Sequence, residues 1–163
     1  MKGKPEVLEA LSEMLKEELG AISQYFLHSE MCENWGYGRL SDFIKKQSIG
    51  EMKHAEILIE RMLFLEGMPN MADLPRLSIG KDVKQQLEND LALEKSAVGE
   101  YNRSIAACQK AGDHATADIL KEILRDEEDH VDFLETQLSL IKDIGLENYL
   151  LEQTRESEEK DKE

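Results

Sequence analysis

Glu51-Met52-Lys53-His54 and Glu127-Glu128-Asp129-His130 place a glutamate and a histidine three residues apart twice in one chain. On a helix, residues three apart share a face, so the carboxylate and the imidazole can converge on one metal ion. The second copy begins 76 residues after the first, and the same offset carries Glu18 onto Glu94 and Tyr25 onto Tyr101. In each half the single glutamate precedes the Glu-x-x-His by 33 residues. A lone Glu-x-x-His is an ordinary solvated helix face. A pair at fixed offset, each set inside an apolar stripe, is the pattern of two Glu-x-x-His helices and two single-Glu helices that together hold two metal ions. Four helices must then lie side by side and bring six polar side chains to one height.

The apolar periodicity supplies those helices. Pro5 suits the first turn of helix 1, with Glu6 and Glu9 at its positive end. Leu8, Leu11, Leu15, Glu18, Ile22 and Tyr25 step by three and four along one face. Glu18 thus interrupts an apolar stripe, and a buried carboxylate must pair, protonate or bind a cation. Trp35-Gly36-Tyr37-Gly38 reads as a turn, and Ser41 and Asp42 are the candidate caps of helix 2, or the helix starts a turn earlier; its inward row is Ile44, Gln47, Glu51, His54 and Leu58. Residues 67–80, with Gly67, Pro69, Pro75 and Gly80, read as a long crossover that lets helix 3 run parallel to helix 2. Asp82 caps helix 3, which presents Leu87, Asp90, Glu94, Ala97 and Tyr101 inward. Gly112-Asp113 ends it and caps helix 4, which carries Leu120, Ile123, Glu127, His130, Leu134 and Leu138. Gly145 breaks the pattern before a short fifth helix around Leu146, Tyr149, Leu150 and Leu151. The expected fold is all-α: a four-helix bundle with a long crossover between helices 2 and 3 and a short C-terminal helix. Residues 1–158 form one domain and 159–163 a charged tail.

By this geometry Glu18 and His54 bind one metal, Glu94 and His130 the other, and Glu51 and Glu127 bridge. Four carboxylates, two neutral imidazoles and two divalent ions sum to zero charge (−4 + 4), so the loaded site can sit in a bundle core. Carboxylates with one imidazole per metal suit iron or manganese better than copper, and structural zinc would recruit cysteine more often. Tyr25 and Tyr101 follow Glu18 and Glu94 by two turns on the same faces. Either can bond a ligand, donate an electron or simply fill the core, and Tyr25 joins the six as a catalytic candidate.

The net charge of −15 disfavours nucleic acid and anionic membranes as partners and favours cations. No apolar run reaches the roughly 20 residues that span a bilayer. Two cysteines, Cys32 and Cys108, with no CxxC and no signal peptide fit a reduced, cytoplasmic setting.

Glu18, Tyr25, Glu51-Met52-x-His54, Glu94, Tyr101 and Glu127-x-x-His130 stand in register over nearly the whole chain, and in this the sequence resembles the bacterioferritins. Classical ferritins usually lack the second Glu-x-x-His. The resemblance implies a ferritin-like bundle and a ferroxidase. Fe²⁺ enters the di-iron centre, reacts with O₂ or H₂O₂, and is stored as ferric mineral in a hollow homo-oligomeric shell of 24 subunits built from dimers. It also implies haem b shared between two subunits, with one methionine from each as axial ligand. Met52 stands at the matching position, on the flank of helix 2 rather than its core face. Leu19, Ile22 and Phe26 would then be pocket walls or dimer packing. A small ferredoxin is the implied electron donor for release.

Lys46 and Gly50 depart from the His and acid that form an inner-surface iron site in some members, and Phe133 replaces a more oxidisable aromatic. The rival readings are a rubrerythrin-like peroxidase, a manganese catalase-like enzyme, and a non-enzymatic shell protein or DNA-protecting miniferritin.

Overall fold

Proline is confined to Pro5, Pro69 and Pro75, and the stretches between them become long helices. The structure, a computed structural model, describes residues 1–154. Its helices are α1 (Pro5–Asn34), α2 (Gly38–Phe64), α3 (Val83–Lys110), α4 (His114–Ile144) and α5 (Leu146–Gln153), and no strand occurs among the described residues. The boundary at 158 and the tail at 159–163 lie outside the described residues. Among the described residues no helix is long and apolar enough to cross a membrane.

Cross-helix hydrogen bonds fix the topology. Ser29 Oγ donates to Ser41 O (3.0 Å) and Ser48 Oγ to Ile22 O (2.8 Å), so α1 and α2 run antiparallel. Rising numbers on α1 meet falling numbers on α3: Tyr101 bonds Glu18, Tyr25 bonds Glu94, and Gln24 bonds Asp90. Helix α3 is therefore antiparallel to α1 and parallel to α2, as the crossover length requires. Helix α4 runs back along α2, with His130 facing Glu51 and Arg61 facing Asp113 and Thr116.

Helix α2 starts at the earlier of the two expected positions, a turn before Ser41. Gly36 alone, at φ +87°, turns the chain, and Ser41 N already donates to Tyr37 O (2.9 Å). Neither Ser41 nor Asp42 caps the helix; both lie inside it. Ser41 is buried, with its hydroxyl 3.2 Å from that of Ser29. A serine committed to a partner helix is not available to its own N-terminus.

The crossover packs Pro75 and Leu77 against α1 at Gly20 and is tied down by polar groups. Ser78 N donates to Gln24 Oε1 (3.1 Å) and Gly80 N to His28 Nε2 (3.0 Å). Gln24 and His28 are in turn anchored on Asp90, all three fully buried. A Cβ at Gly80 would lie 2.3 Å from Gln86 N, so only glycine allows the strap so close to the first turn of α3.

Two apolar clusters flank the middle of the bundle. One gathers Leu11, Leu15, Leu58, Met62, Leu120 and Ile123; the other holds Ala21, Ile44, Leu87, Leu134 and Tyr149. Each large aliphatic chain so buried contributes about 1.5–3 kcal/mol. The six polar residues of the repeat occupy the band between these clusters.

Asp113 is the joint between the hairpin α3–α4 and helix α2. Its carboxylate accepts from Thr116 N (2.9 Å) and Thr116 Oγ1 (2.7 Å), and Arg61 Nη2 donates to it (3.0 Å). Asp113→Ala removes a cap and a largely buried ion pair and is expected to cost about 1–2 kcal/mol, read as a lowered midpoint in chemical denaturation. An unchanged midpoint would show the joint to be idle.

Candidate metal centre

Each of the four long helices delivers its part of the repeat to one height. Glu18 comes from α1, Glu51 and His54 from α2, Glu94 from α3, and Glu127 and His130 from α4. The four glutamates and His54 are buried, and the His130 side chain is 16% exposed. The ligand-type atoms fall into two overlapping groups, each within 4.8 Å: Glu18, Glu51, His54 and Glu127, and Glu51, Glu94, Glu127 and His130. Glu51 and Glu127 belong to both, as the repeat anticipates.

Both imidazoles turn Nδ1 inward. His54 Nδ1 lies 2.9 Å from Glu51 Oε2 and from Glu127 Oε1, and 3.6 Å from Glu18 Oε2. His130 Nδ1 lies 3.0 Å from Glu51 Oε1, 3.4 Å from Glu94 Oε1 and 3.7 Å from Glu127 Oε2. The outward nitrogen of His54, Nε2, lies 3.1 Å from Asp126 Oδ2.

Tyr25 and Tyr101 reach across the bundle, each to the other half's single glutamate. Tyr25 donates to Glu94 Oε1 and Tyr101 to Glu18 Oε1. Burial, followed by the carboxylate each one bonds, pushes both phenols well above their ordinary range, so both stay protonated donors.

Among the described residues four buried polar atoms at this point, Glu51 Oε1, Glu94 Oε2, Glu127 Oε1 and His130 Nδ1, make no well-aligned hydrogen bond, although Glu127 Oε1 lies 2.9 Å from His54 Nδ1 and Glu51 Oε1 3.0 Å from His130 Nδ1. Buried polar groups are nearly always satisfied, and four poorly satisfied at one point are costly. With the rings deprotonated, all four would offer lone pairs that a pair of cations could satisfy together. The donor set of carboxylates and imidazoles fits divalent iron or manganese.

Without metal, protons must do the neutralising. Burial, reinforced by the charges of Glu51 and Glu127, drives the Glu18 carboxyl well above its usual value against the hydrogen bond from His54. Burial and Glu127 do the same to Glu94 against His130. Burial alone would also raise Glu51 and Glu127, but hydrogen bonds to His130 and His54 hold both below the ordinary range. Burial would lower the imidazoles, yet Glu127, Glu18 and Glu51 raise His54, and Glu127, Glu51 and Glu94 push His130 up to about 12. Without metal, these shifts favour protonated Glu18 and Glu94 and charged imidazoles beside ionised Glu51 and Glu127, which moves the centre toward charge balance.

Met52 is not part of this group. It is 46% exposed on the outer flank of α2, and the register set by Ser48 and Ile22 brings it level with Glu18 and Leu19. Phe26 and Ile49, also exposed, extend the same apolar face. The sequence pattern gave no sign of two features. Asp126 behind His54 lies outside the repeat, because the residue 76 positions earlier is Gly50. The pairing of His28 with Asp90 needs the crossover in place, and no local spacing announces it.

The ferritin-like domain family matches residues 8–144 of the chain. The bacterioferritin of Brucella melitensis is 47% identical over 149 residues, covering 91% of this chain and 92% of its own length. That of Mycolicibacterium paratuberculosis is 44% identical, covering 91% and 94%. A bacterial ferritin of Synechocystis sp. is 43% identical over 154 residues, covering 94% and 99%.

Exchanging protons for metal has measurable consequences. Metal ions would displace the protons on these raised groups, so Zn²⁺ titration near pH 7 should release protons, with affinity rising as pH rises. Calorimetry in buffers of different ionisation enthalpy detects that release, and none would contradict the raised carboxyls and imidazoles. The imidazole pKa values are raised on folding. Their stabilisation of the metal-free protein is complete below about pH 6.5 and erodes as pH climbs toward the folded values. The metal-free melting temperature should therefore fall from pH 6.5 to 9.

Proposed function

The chain belongs to the bacterioferritin family, and on that premise we propose that it stores iron as a ferroxidase, oxidising Fe²⁺ at the centre built by the Glu-x-x-His repeat. The observation that carries this reading is the convergence of two overlapping carboxylate–imidazole groups that share Glu51 and Glu127, with four buried atoms among them that make no well-aligned hydrogen bond.

Glu18 and His54 would hold one iron, Glu94 and His130 the other, and Glu51 and Glu127 would bridge. Iron bound there supplies one electron per ion, two in all, enough to reduce O₂ to H₂O₂ or H₂O₂ to water. The protein's own part is positioning and charge. Tyr25 fixes Glu94 through Oε1 and leaves Oε2 facing inward without a partner. Tyr101 fixes Glu18 through Oε1 and leaves Oε2 toward His54. Two states near charge balance, one with protons and one with metal, let the apolar bundle stay folded in both.

We assign the ferric product to the interior of a 24-subunit homo-oligomeric shell built from dimers, in the cytoplasm, with a ferredoxin as donor for release. A cation-attracting charge of −15 per chain supports that storage role. Lysine at 46 and glycine at 50 offer no ligands for an inner-surface iron site, so iron would reach the cavity through the centre itself. Phe133 stacks on Phe43 with ring centroids 4.0 Å apart and supplies no readily oxidised group there. The exposed face of Met52, Phe26 and Ile49 fits a subunit dimer holding haem b between two Met52 thioethers.

Glu94→Ala or Glu18→Ala, with helicity retained by circular dichroism, should slow aerobic Fe²⁺ oxidation at least about tenfold. Mineral far beyond two irons per chain distinguishes storage from a peroxidase or catalase, which would turn over peroxide without accumulating iron. Oxidation by these variants as fast as the parent would refute the ferroxidase. Met52→Leu should lose the haem Soret band while keeping the oxidation rate, and an unchanged band would remove Met52 from the haem site.

A further inference from the structure

The two halves of the centre are alike in their ligands and unlike in what stands behind them. His54 Nε2 is 3.1 Å from Asp126 Oδ2, a carboxylate whose side chain is 62% exposed. Asp126 precedes the bridging Glu127 by one residue. The residue that precedes the other bridging glutamate, Glu51, is Gly50. The internal offset of 76 residues thus maps Asp126 onto a position with no side chain. A Cβ at Gly50 would meet nothing within 4 Å, so no neighbour fills that space. Among the described residues no group bonds His130 Nε2.

We infer that Asp126 is a positioning residue for His54, and that its missing counterpart at Gly50 makes the two halves of the centre hold metal unequally. The inference rests on the two-metal reading above. A histidine that gives one nitrogen to a metal keeps its remaining proton on the other. A carboxylate accepting that N–H fixes the ring plane and the tautomer and makes the ligating nitrogen a better donor. His54 has that partner: Nε2–H meets Asp126, and Nδ1 is left aimed between Glu51, Glu127 and Glu18. His130 presents the same inward Nδ1 to Glu51, Glu94 and Glu127, but among the described residues no carboxylate stands at its Nε2. The half formed by Glu18 and His54 is the tighter, and the half formed by Glu94 and His130 the weaker. A ferroxidase that must pass iron on gains from this arrangement, since one position retains its ion while the other exchanges.

The test uses the assembled protein and Zn²⁺, which binds without redox chemistry. Calorimetric titration of the parent should resolve two unequal steps, and anomalous scattering from crystals given less than one Zn²⁺ per chain should show the ion beside His54. Asp126→Ala should weaken the tighter step about 10- to 100-fold and even out the occupancy. Asp126→Asn, which keeps an acceptor without the charge, should fall between. Gly50→Asp places a carboxylate behind His130 and should strengthen the weaker step. Equal steps in the parent, or a tight step untouched by Asp126→Ala, would overturn this inference and leave the two-metal centre standing. A parent that binds no Zn²⁺ at these residues would overturn both.

Discussion

Four carboxylates and two imidazoles share one point in the apolar middle of this bundle, and no lysine or arginine is there to offset them. Coulomb repulsion between close like charges grows steeply as the dielectric falls, so this group cannot stay both ionised and bare. Every other feature of the molecule answers that constraint. The apolar clusters above and below secure the four helices without help from the band between them. The tyrosines donate to Glu18 and Glu94, the two glutamates outside the shared pair, and hold them where protons or metal can reach.

The shared pair is what lets the proposed centre take two ions rather than one. Glu51 and Glu127 each lie against both imidazoles: Glu51 is 2.9 Å from His54 and 3.0 Å from His130, and Glu127 is 2.9 and 3.7 Å from them. Hydrogen bonds keep these two acids ionised while the outer two are driven toward the neutral form. The difference follows from position alone, because all four are glutamates under the same burial. A central acid meets two cationic rings and an outer acid only one. The electrostatics of the protein by itself thus already set Glu51 and Glu127 apart, as the bridging role proposed for them would need.

Much of this was legible in the residues. A period of three and four, broken by Glu or His at matched offsets, fixes which face of each helix is inward and at what height the polar groups meet. Asp82 and Asp113 were readable as caps because their partners, Gln85 N and Thr116 N, lie three residues on. What failed was whatever depends on another element. Ser41 looks like a cap locally, but the buried Ser29 across the hairpin sets its environment. His28, Gln24 and Asp90 form a buried polar latch for the crossover, and no periodicity on α1 alone says that a strap will pass over them. Asp126 sits on a charged run, Asp126-Glu127-Glu128-Asp129, where four acids look alike and only the rotation of α4 against α2 singles one out.

The repeat itself shows where symmetry was useful and where it was not. Six ligands and two tyrosines are duplicated at a fixed offset, and the two halves meet about the centre as equals. The departures lie just outside: a crossover joins what would otherwise be two hairpins, Met52 faces outward where its counterpart at 128 is a glutamate, and Asp126 answers to Gly50. Duplication fixes the geometry that two like ions require, because two identical coordination shells need the same side chains. The iron passage proposed for this centre asks for the opposite, one side easier to leave than the other. Like ligand sets with unequal support behind them would meet both demands, and that support comes from residues outside the six ligand positions.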